Sequence, residues 1–276
     1  MNDLTVAIYG LGLIGGSLAR DLHALGFRVL GYDADPATLE SAREEGTVRG
    51  VVGADGEGMG EADVVVLAVP VPVAPALLTR IAPHVQGTLV TDTTSTKRGI
   101  VEAAVAAGLG ERFVGAHPFA GDHRVGWTAS RQGLFLGCTA FLCPTPHTEL
   151  AAVERAVELW RDVGARTRVL DAAEHDSRMA WLSHLPQAAA SALALALAQS
   201  GLEARRLGPG GLDATRLAAS SPGLWAGILL DNADAVEPTL SALERSVGTM
   251  LEAVRHRDVA AVERLLSSAK RWKSGE

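Results

Sequence analysis

The feature that most constrains this chain is a glycine-rich turn close to its start. Gly10, Gly12 and Gly15 form a GxGxxG pattern between the β-rich run LTVAIYG and a helical pattern. The first glycine allows a tight turn, the second lets the backbone approach a pyrophosphate, and the third lets helix and strand pack closely. The first helical amides, at Leu13 and Ile14, then face a position that favours phosphate. The turn therefore predicts a dinucleotide site.

An acidic residue after the second predicted strand bears on the choice of dinucleotide. Asp33 ends the run RVLGYD, where a carboxylate can accept hydrogen bonds from both ribose hydroxyls. It would repel a 2′-phosphate, and no basic residue follows before Arg43. This favours NAD over NADP. The alternative to a dinucleotide site is a plain turn with a helix-capping acid. The next apolar strand, ADVVVLAVP, ends in Val69 and Pro70, which we assign to the same cofactor site.

Strand and helix patterns alternate through the first part of the chain and then stop. Near-continuous apolar strands separated by helices predict a parallel sheet covered on both faces, which is a doubly wound α/β fold. We expect a dinucleotide-binding Rossmann domain over residues 1–171 and an all-helical domain over 172–276. The apolar faces of the second domain predict buried helices or a subunit interface.

Composition narrows the class of partner and the compartment. The net charge is −7 and the pI about 5.6, which disfavours nucleic acid. Cys138 and Cys143 form neither a disulfide framework nor a CxxC motif, so we expect core packing in a reducing compartment and no metal site. No signal peptide is visible, and the most apolar run, AAASALALALA, is too short for a membrane span. We expect a cytoplasmic protein with no membrane partner.

Polar residues follow two of the predicted strands. Ser95 and Lys97 lie in TDTTSTK after one strand, where ligands bind in such sheets; the alternative is a helix-capping serine and a solvated lysine. His117, in GAHPFAG, ends another strand and could act as a base near neutral pH, unless it is a structural histidine.

The helical part contains two further candidates. His184, in SHLPQ, lies in an apolar helical region and either packs in the core or faces a ligand. Arg216, in DATRLA, lies on an apolar helix, where a guanidinium could bind a substrate carboxylate bidentately. The alternative for Arg216 is a salt bridge to Asp213 or to another acidic residue.

At this point the chain resembles the prephenate/arogenate dehydrogenase family of tyrosine biosynthesis. The motifs that carry the resemblance, in order along most of the chain, are GLGLIGGSLA, ADVVVLAVP, TDTTSTK, GAHPFAGDHRVGW, GLFLG, EHDSRMAWLSHLPQ and GLDATRLAASSPGLW. The combination around His117, His184 and Arg216 is specific, whereas the glycine turn alone is not.

The resemblance implies an NAD-dependent oxidative decarboxylation. His117 matches the catalytic histidine that takes the proton of the substrate's ring hydroxyl, and Ser95 matches a serine that orients it. Arg216 matches an arginine that binds a substrate carboxylate, and His184 matches a histidine of the substrate pocket. The resemblance also implies an intertwined homodimer.

Some positions depart from common family forms and leave the substrate open. Gln187 stands where many members that use prephenate have a second histidine, and Asp122 stands where threonine or serine is frequent. Asp122 could pair with the ammonium of arogenate, whereas His123 and Arg124 suit the keto acid prephenate. We expect prephenate, with arogenate or use of both substrates as the alternative. We expect no appended regulatory domain, so that any feedback by tyrosine would act at the active site or the dimer.

Two competing interpretations are weaker. Other β-hydroxy acid dehydrogenases rely on a lysine in the helical half, but residues 172–269 contain no lysine. A nucleotide-sensing or structural homodimer would keep the glycine turn and Asp33 but would not need Ser95, His117 and Arg216 together.

Overall fold

The computed structural model describes residues 4–86, 89–121 and 124–275. The chain divides into two compact units, Met1–Met179 with Ala219–Asn232, and Ala180–Ala218 with Ala233–Glu276. The units are not contiguous in sequence, because a short helical segment late in the chain groups with the first. The domain boundary between residues 171 and 172 stays a prediction. Among the described residues, no helix is both long and apolar enough to cross a membrane.

The first unit is built on one eight-stranded sheet. Its strands are β1 Thr5–Tyr9, β2 Arg28–Tyr32, β3 Gly50–Val51, β4 Val64–Leu67, β5 Leu89–Asp92, β6 Phe113–Pro118, β7 Thr139–Pro144 and β8 Arg166–Val169. The helices of this unit are α1 Leu13–Ala24, α2 Pro36–Glu44, α3 Ala74–Ile81, α4 Arg98–Ala106, α5 Leu150–Asp162, α6 Ala172–Met179 and, late in the chain, α9 Pro222–Asp231. The strand order is β3-β2-β1-β4-β5-β6-β7-β8.

Alternate residues of the central strands supply two separate apolar cores. Val6 and Ile8 of β1 belong to a core that includes residues of α1 and α5, whereas Ala7 and Tyr9 belong to one that includes residues of α3, α4 and α6. Since successive side chains of a strand point to opposite faces, helices cover both faces of the sheet. The predicted doubly wound fold is confirmed.

Two strands, β7 and β8, depart from the expected all-parallel sheet. β7 pairs with β6 in antiparallel orientation, with His117 opposite Phe141, and β8 then pairs with β7 in parallel. A parallel neighbour requires a crossover, usually through a helix, whereas an antiparallel neighbour does not. Of the described residues between β6 and β7, only the short 3₁₀ turn Trp127–Ala129 is helical.

The second unit is helical, as predicted. It contains a π-helical turn at Ala180–His184, followed by α7 Leu185–Ala198, α8 Pro209–Thr215, α10 Ala233–Arg255 and α11 Val259–Ser274. Within α7, only Gln187 and Ala190 are buried, and Leu193 and Leu195 are exposed. The apolar run of α7 is therefore not enclosed within a single copy of the chain.

The connection between β6 and β7 is held by an aromatic contact. Phe135 packs edge-on against Trp160 of α5, with ring centroids 5.4 Å apart, and both side chains are fully buried. We expect Phe135→Ala to lower the free energy of unfolding by about 3–5 kcal/mol, because it leaves a cavity in the core. Urea-induced unfolding followed by circular dichroism measures this. The exposed Leu150→Ala should change stability by less than about 0.5 kcal/mol, and equal effects of the two variants would contradict the packing described here.

Candidate active site

The sequence-predicted residues of the first unit gather at one edge of the sheet. Gly10 follows β1, Val69 and Pro70 follow β4, Ser95 lies just beyond β5, and His117 is near the end of β6. β1, β4, β5 and β6 are mutually parallel, so their carboxyl ends meet at the same edge. This is the edge where ligands bind in open α/β sheets.

The glycine turn has the close packing that its pattern predicts. Gly10 adopts a φ of +92°, and a Cβ built there would lie 2.3 Å from the Ala68 carbonyl oxygen. A Cβ on Gly15 would lie 1.9 Å from the Gly10 carbonyl oxygen. At Gly12, by contrast, a Cβ would meet no atom within 4 Å. Side chains are excluded at the first and third glycines by the protein itself, and the space beside the second is open.

The start of α1 is suited to an anion. Gly12 is the N-cap residue, no side chain caps the helix, and Leu13 and Ile14 form its first turn. The amides of a helix's first turn have no intrahelical acceptors, and the macrodipole favours negative charge there. The open space at Gly12 and these amides together fit a pyrophosphate.

Asp33 is fixed beside the same turn. Its Oδ2 accepts a hydrogen bond of 2.7 Å from the Leu11 amide, and its Oδ1 accepts one of 2.9 Å from the Asp35 amide. The carboxylate is half-buried. Arg43, the first basic residue after it in sequence, lies 3.5 Å from Glu40 in an exposed ion pair. The surroundings of Asp33 thus fit a ribose with free hydroxyls.

The chain that leaves His117 returns to the glycine turn. A Cβ built on Gly121 would lie 3.7 Å from Cδ1 of Ile14 and 4.0 Å from Cδ2 of Leu13. Phe119 lies between His117 and Gly121 in the sequence and is 46% exposed. Its ring packs edge-on against the His117 ring, with the two centroids 6.0 Å apart. The histidine and the predicted cofactor turn therefore belong to one continuous surface of the first unit.

His117 is buried and is joined to residues that the sequence interpretation missed. Its Nδ1 lies 2.9 Å from Nε2 of His175, whose Nδ1 lies 2.8 Å from Oδ1 of Asp176. Both belong to α6, the first helix after β8. His175 and Asp176 lie in the motif EHDSRMAWLSHLPQ, but no local sequence pattern indicates that they lie beside β6.

Asp176 also holds the start of another helix. Its carboxylate accepts hydrogen bonds from the backbone amides of Lys97 at 2.7 Å and Arg98 at 2.9 Å. These are the N-cap and first residues of α4, where negative charge is favoured. Burial by itself raises the pKa of Asp176, but hydrogen bonds from His175 and the two amides outweigh it and hold that pKa below its ordinary value. Burial lowers the pKa of His175, partly offset by Asp176.

A second buried network lies beside the first. Lys97 has no exposed surface, and its Nζ contacts Oδ2 of Asp92 and donates to Oγ1 of Thr94 at 2.9 Å. Asp92 Oδ1 accepts from the Ala116 amide at 2.9 Å, one residue before His117. The alternative of a solvated lysine at position 97 is wrong, because the carboxylate of Asp92 draws the ammonium into the interior.

The remaining candidates of the first unit are placed less directly. Ser95 is half-buried, and within the described part of the chain no hydrogen bond joins it to His117. Its orienting role stays a prediction. Asp122 and His123 lie outside the described residues.

The candidates of the second unit occupy different environments. His184 ends the π-helical turn and is buried. Gln187 is also buried, and its Nε2 donates to the Leu217 carbonyl at 2.8 Å. Its Oε1 has no hydrogen-bond donor among residues 4–86, 89–121 and 124–275. Arg216 is exposed, and within those same ranges it makes no ion pair with Asp213.

The Asp92–Lys97 pair gives a test of the network. Lys97→Met keeps a side chain of similar length but leaves a buried carboxylate without its cation. We expect the free energy of unfolding to fall by about 3–5 kcal/mol, measured by urea unfolding at neutral pH. The exposed Lys270→Met on α11 removes the same charge without burial and should shift stability by less than about 0.5 kcal/mol. A Lys97→Met protein as stable as the parent would show that the ion pair does not hold this region.

Comparison with known proteins agrees with this geometry. Residues 18–169 match the family model of the prephenate dehydrogenase nucleotide-binding domain, and residues 171–268 match that of its dimerization domain. A prephenate dehydrogenase of Bacillus subtilis is 31% identical over 287 aligned residues, covering 100% of this chain and 77% of the relative.

Solved structures agree in fold and length. Prephenate dehydrogenase from A. aeolicus, solved with hydroxyphenyl propionate and NAD⁺, superposes with a TM-score of 0.89 at 28% identity, covering 100% of this chain and 99% of that one. Synechocystis arogenate dehydrogenase superposes with a TM-score of 0.81 at 26% identity, covering 99% of each chain. With both family models matched in order along its length, the chain belongs to the prephenate dehydrogenase family.

Proposed function

We propose that the protein catalyses the NAD-dependent oxidative decarboxylation of prephenate to 4-hydroxyphenylpyruvate, a step of tyrosine biosynthesis. The observation that carries the proposal is the position of His117. It lies at the carboxyl edge of the sheet, on the same surface as the glycine turn, and is backed by a hydrogen-bonded His175. A base beside a dinucleotide site is the arrangement that oxidation of a ring alcohol requires.

The choice of NAD as cofactor is supported by the shape and charge of the residues around the glycine turn. Gly10, Gly12, Leu13, Ile14 and Gly15 form an open turn with helix amides suited to a pyrophosphate. The Asp33 carboxylate disfavours a 2′-phosphate, and Val69 and Pro70 border the same edge. When bound, NAD⁺ supplies the hydride acceptor.

His117 is the proposed catalytic base. It takes the proton of the ring hydroxyl while the carbinol carbon is oxidised, and loss of the ring carboxylate as carbon dioxide then leaves an aromatic product. Its burial excludes water and strengthens each electrostatic contact that it makes. Ser95 is proposed to orient it from the end of β5.

The substrate side is proposed from the family resemblance. We assign Arg216 to a substrate carboxylate, because its guanidinium is exposed and makes no ion pair with Asp213 in the described residues. His184, Gln187 and Asp122 are assigned to the substrate pocket.

Arogenate is the alternative substrate. A relative of similar length carries the name arogenate dehydrogenase, and the buried Gln187 presents a carbonyl oxygen as an acceptor, which suits an ammonium better than a keto group. Direct competition of the two substrates decides between them.

We further propose that the protein acts as a cytoplasmic homodimer. The matched dimerization domain is supported by apolar side chains exposed on α10 and α11, among them Val247, Val254, Val259 and Trp272. Large apolar side chains that are exposed in one copy of the chain are available for a subunit interface. Feedback by tyrosine, the end product, would act at the active site or through this dimer.

Gly12 offers a test of the cofactor site that leaves the fold intact. Gly12→Ala adds a methyl group to open space, so we expect unchanged stability. The same methyl group occupies the approach of the pyrophosphate, so the Kd for NADH should rise about tenfold or more, which is about 1.4 kcal/mol. Titration calorimetry measures both variants, with Gly60→Ala as the control, since its Cβ also meets no atom within 4 Å. Unchanged NADH affinity in Gly12→Ala would remove the turn from the cofactor site.

The activity itself is tested by NAD⁺ reduction with prephenate and with arogenate in parallel. We expect His117→Asn to lower kcat by a factor of about 10²–10⁴ while NADH binding is kept, because general base catalysis contributes about that much. The exposed His147→Asn should retain full activity. Reduction with neither substrate by the parent protein would reject the proposed reaction, whatever the glycine turn binds.

A further inference from the structure

Two buried side chains stand directly behind His117. His175 has no exposed surface and Asp176 is 2% exposed. The His117 Nδ1 to His175 Nε2 contact of 2.9 Å and the His175 Nδ1 to Asp176 Oδ1 contact of 2.8 Å place the three groups in series. The series begins at the sheet edge and ends in a carboxylate that is also held by two backbone amides.

The position of the proton on each histidine of this series follows from the carboxylate of Asp176 at its buried end. Asp176 has a lowered pKa and is a carboxylate near neutral pH, and His175 has a lowered pKa and is a neutral imidazole. A carboxylate can only accept, so the single proton of His175 lies on Nδ1 and its Nε2 is an acceptor. His117 must then donate from Nδ1, which assigns its lone pair to Nε2.

We infer that His175 and Asp176 are positioning residues that fix the Nδ1-protonated tautomer of His117 and stabilise its imidazolium during turnover. This rests on the proposed function, in which His117 takes the hydroxyl proton of the substrate. The proton passes from the substrate oxygen to Nε2 of His117, and no proton needs to leave Nδ1. The positive charge formed on His117 then lies one neutral imidazole away from the carboxylate of Asp176.

Among the residues that the structure describes, the other ionisable groups near the pair are less suited than Asp176 to balance this charge. Lys97 and Asp92 form their own buried ion pair. Burial raises the pKa of the Cys143 thiol to about 12, so it stays neutral. Arg98 lies 3.7 Å from the far oxygen of Asp176 and is partly exposed, where water screens it. Asp176 is the carboxylate in hydrogen-bond contact with His175, and we assign the balancing charge to it.

Asp176 also caps α4, so a substitution there would mix a structural effect with an electrostatic one. His175 offers the cleaner test. His175→Phe keeps a planar ring against Phe141, whose centroid lies 5.6 Å away, but removes both nitrogens. His175→Gln keeps an amide oxygen that can accept from His117 Nδ1 but cannot relay the charge of Asp176.

The first readout is spectroscopic and does not depend on turnover. In ¹⁵N-histidine-labelled protein, long-range ¹H–¹⁵N spectra distinguish the two neutral tautomers. We expect His117 to be protonated at Nδ1 in the parent and in His175→Gln, and to lose that single tautomer in His175→Phe. The signal of His117 is assigned from its disappearance in His117→Asn. A His117 already protonated at Nε2 in the parent would overturn the inference.

The second readout is kinetic. We expect His175→Phe to lower kcat by about 10- to 100-fold, the usual cost of removing an orienting partner, with little change in KM or NADH affinity. The acid limb of its kcat profile should move to lower pH, because the imidazolium loses its support. His175→Gln should recover part of kcat while its acid limb stays displaced. The exposed His147→Phe serves as the control.

The two proposals fail in different ways. If the parent reduces NAD⁺ with neither substrate, the proposed function fails, and the tautomer spectra still decide the arrangement of the series. If the parent is active and His175→Phe retains both its kcat and its acid limb, the positioning role is refuted. A lower kcat with an unmoved acid limb and no recovery in His175→Gln would refute it as well, leaving His175 a packing role.

Discussion

The geometry of this site depends on a lysine and an aspartate buried together at the end of a central strand. Lys97 and Asp92 have no exposed surface, and burying either charge alone would cost several kcal/mol. The second carboxylate oxygen of Asp92 accepts a hydrogen bond from the Ala116 amide. This bond joins the end of β5 to β6, the strand that carries His117. Lys97 is also the N-cap residue of α4, so the pair adjoins the start of that helix. Breaking the pair would leave the buried carboxylate of Asp92 without its cation, one residue away from His117 in the hydrogen-bonded strand.

The antiparallel β7 explains how a late helix reaches an early strand. Had β7 run parallel to β6, its carboxyl end would lie at the edge that holds the glycine turn. In the observed topology β7 runs the other way, with Phe141 opposite His117, and β8 follows it in parallel. α6 begins after β8, and Ala172 and Met179 of α6 are buried in the core that also contains Phe141. His175 is thereby brought against His117, 58 residues earlier in the chain.

Sequence alone was sufficient where local chemistry determines the structure. The glycine turn follows from steric limits at Gly10 and Gly15, and Asp33 follows from the position of the second strand. His117 was predicted because parallel strand ends share an edge. The orientation of β7 was missed, because the apolar pattern of a strand does not indicate whether it pairs in parallel or antiparallel. The burial of Lys97 and the contact between β6 and α6 were missed for a related reason, since both depend on tertiary neighbours that no local pattern specifies.

A neutral imidazole between His117 and the carboxylate has a consequence for the strength of the base. A carboxylate in direct contact favours the charged form of a histidine and so raises its pKa. Through His175, the charge of Asp176 acts at a greater distance, and its attraction falls with that distance. In the proposed reaction, the charge that forms on His117 is then balanced at a distance. Burial lowers the pKa of His175 and so favours the neutral imidazole, whose Nε2 can accept from His117.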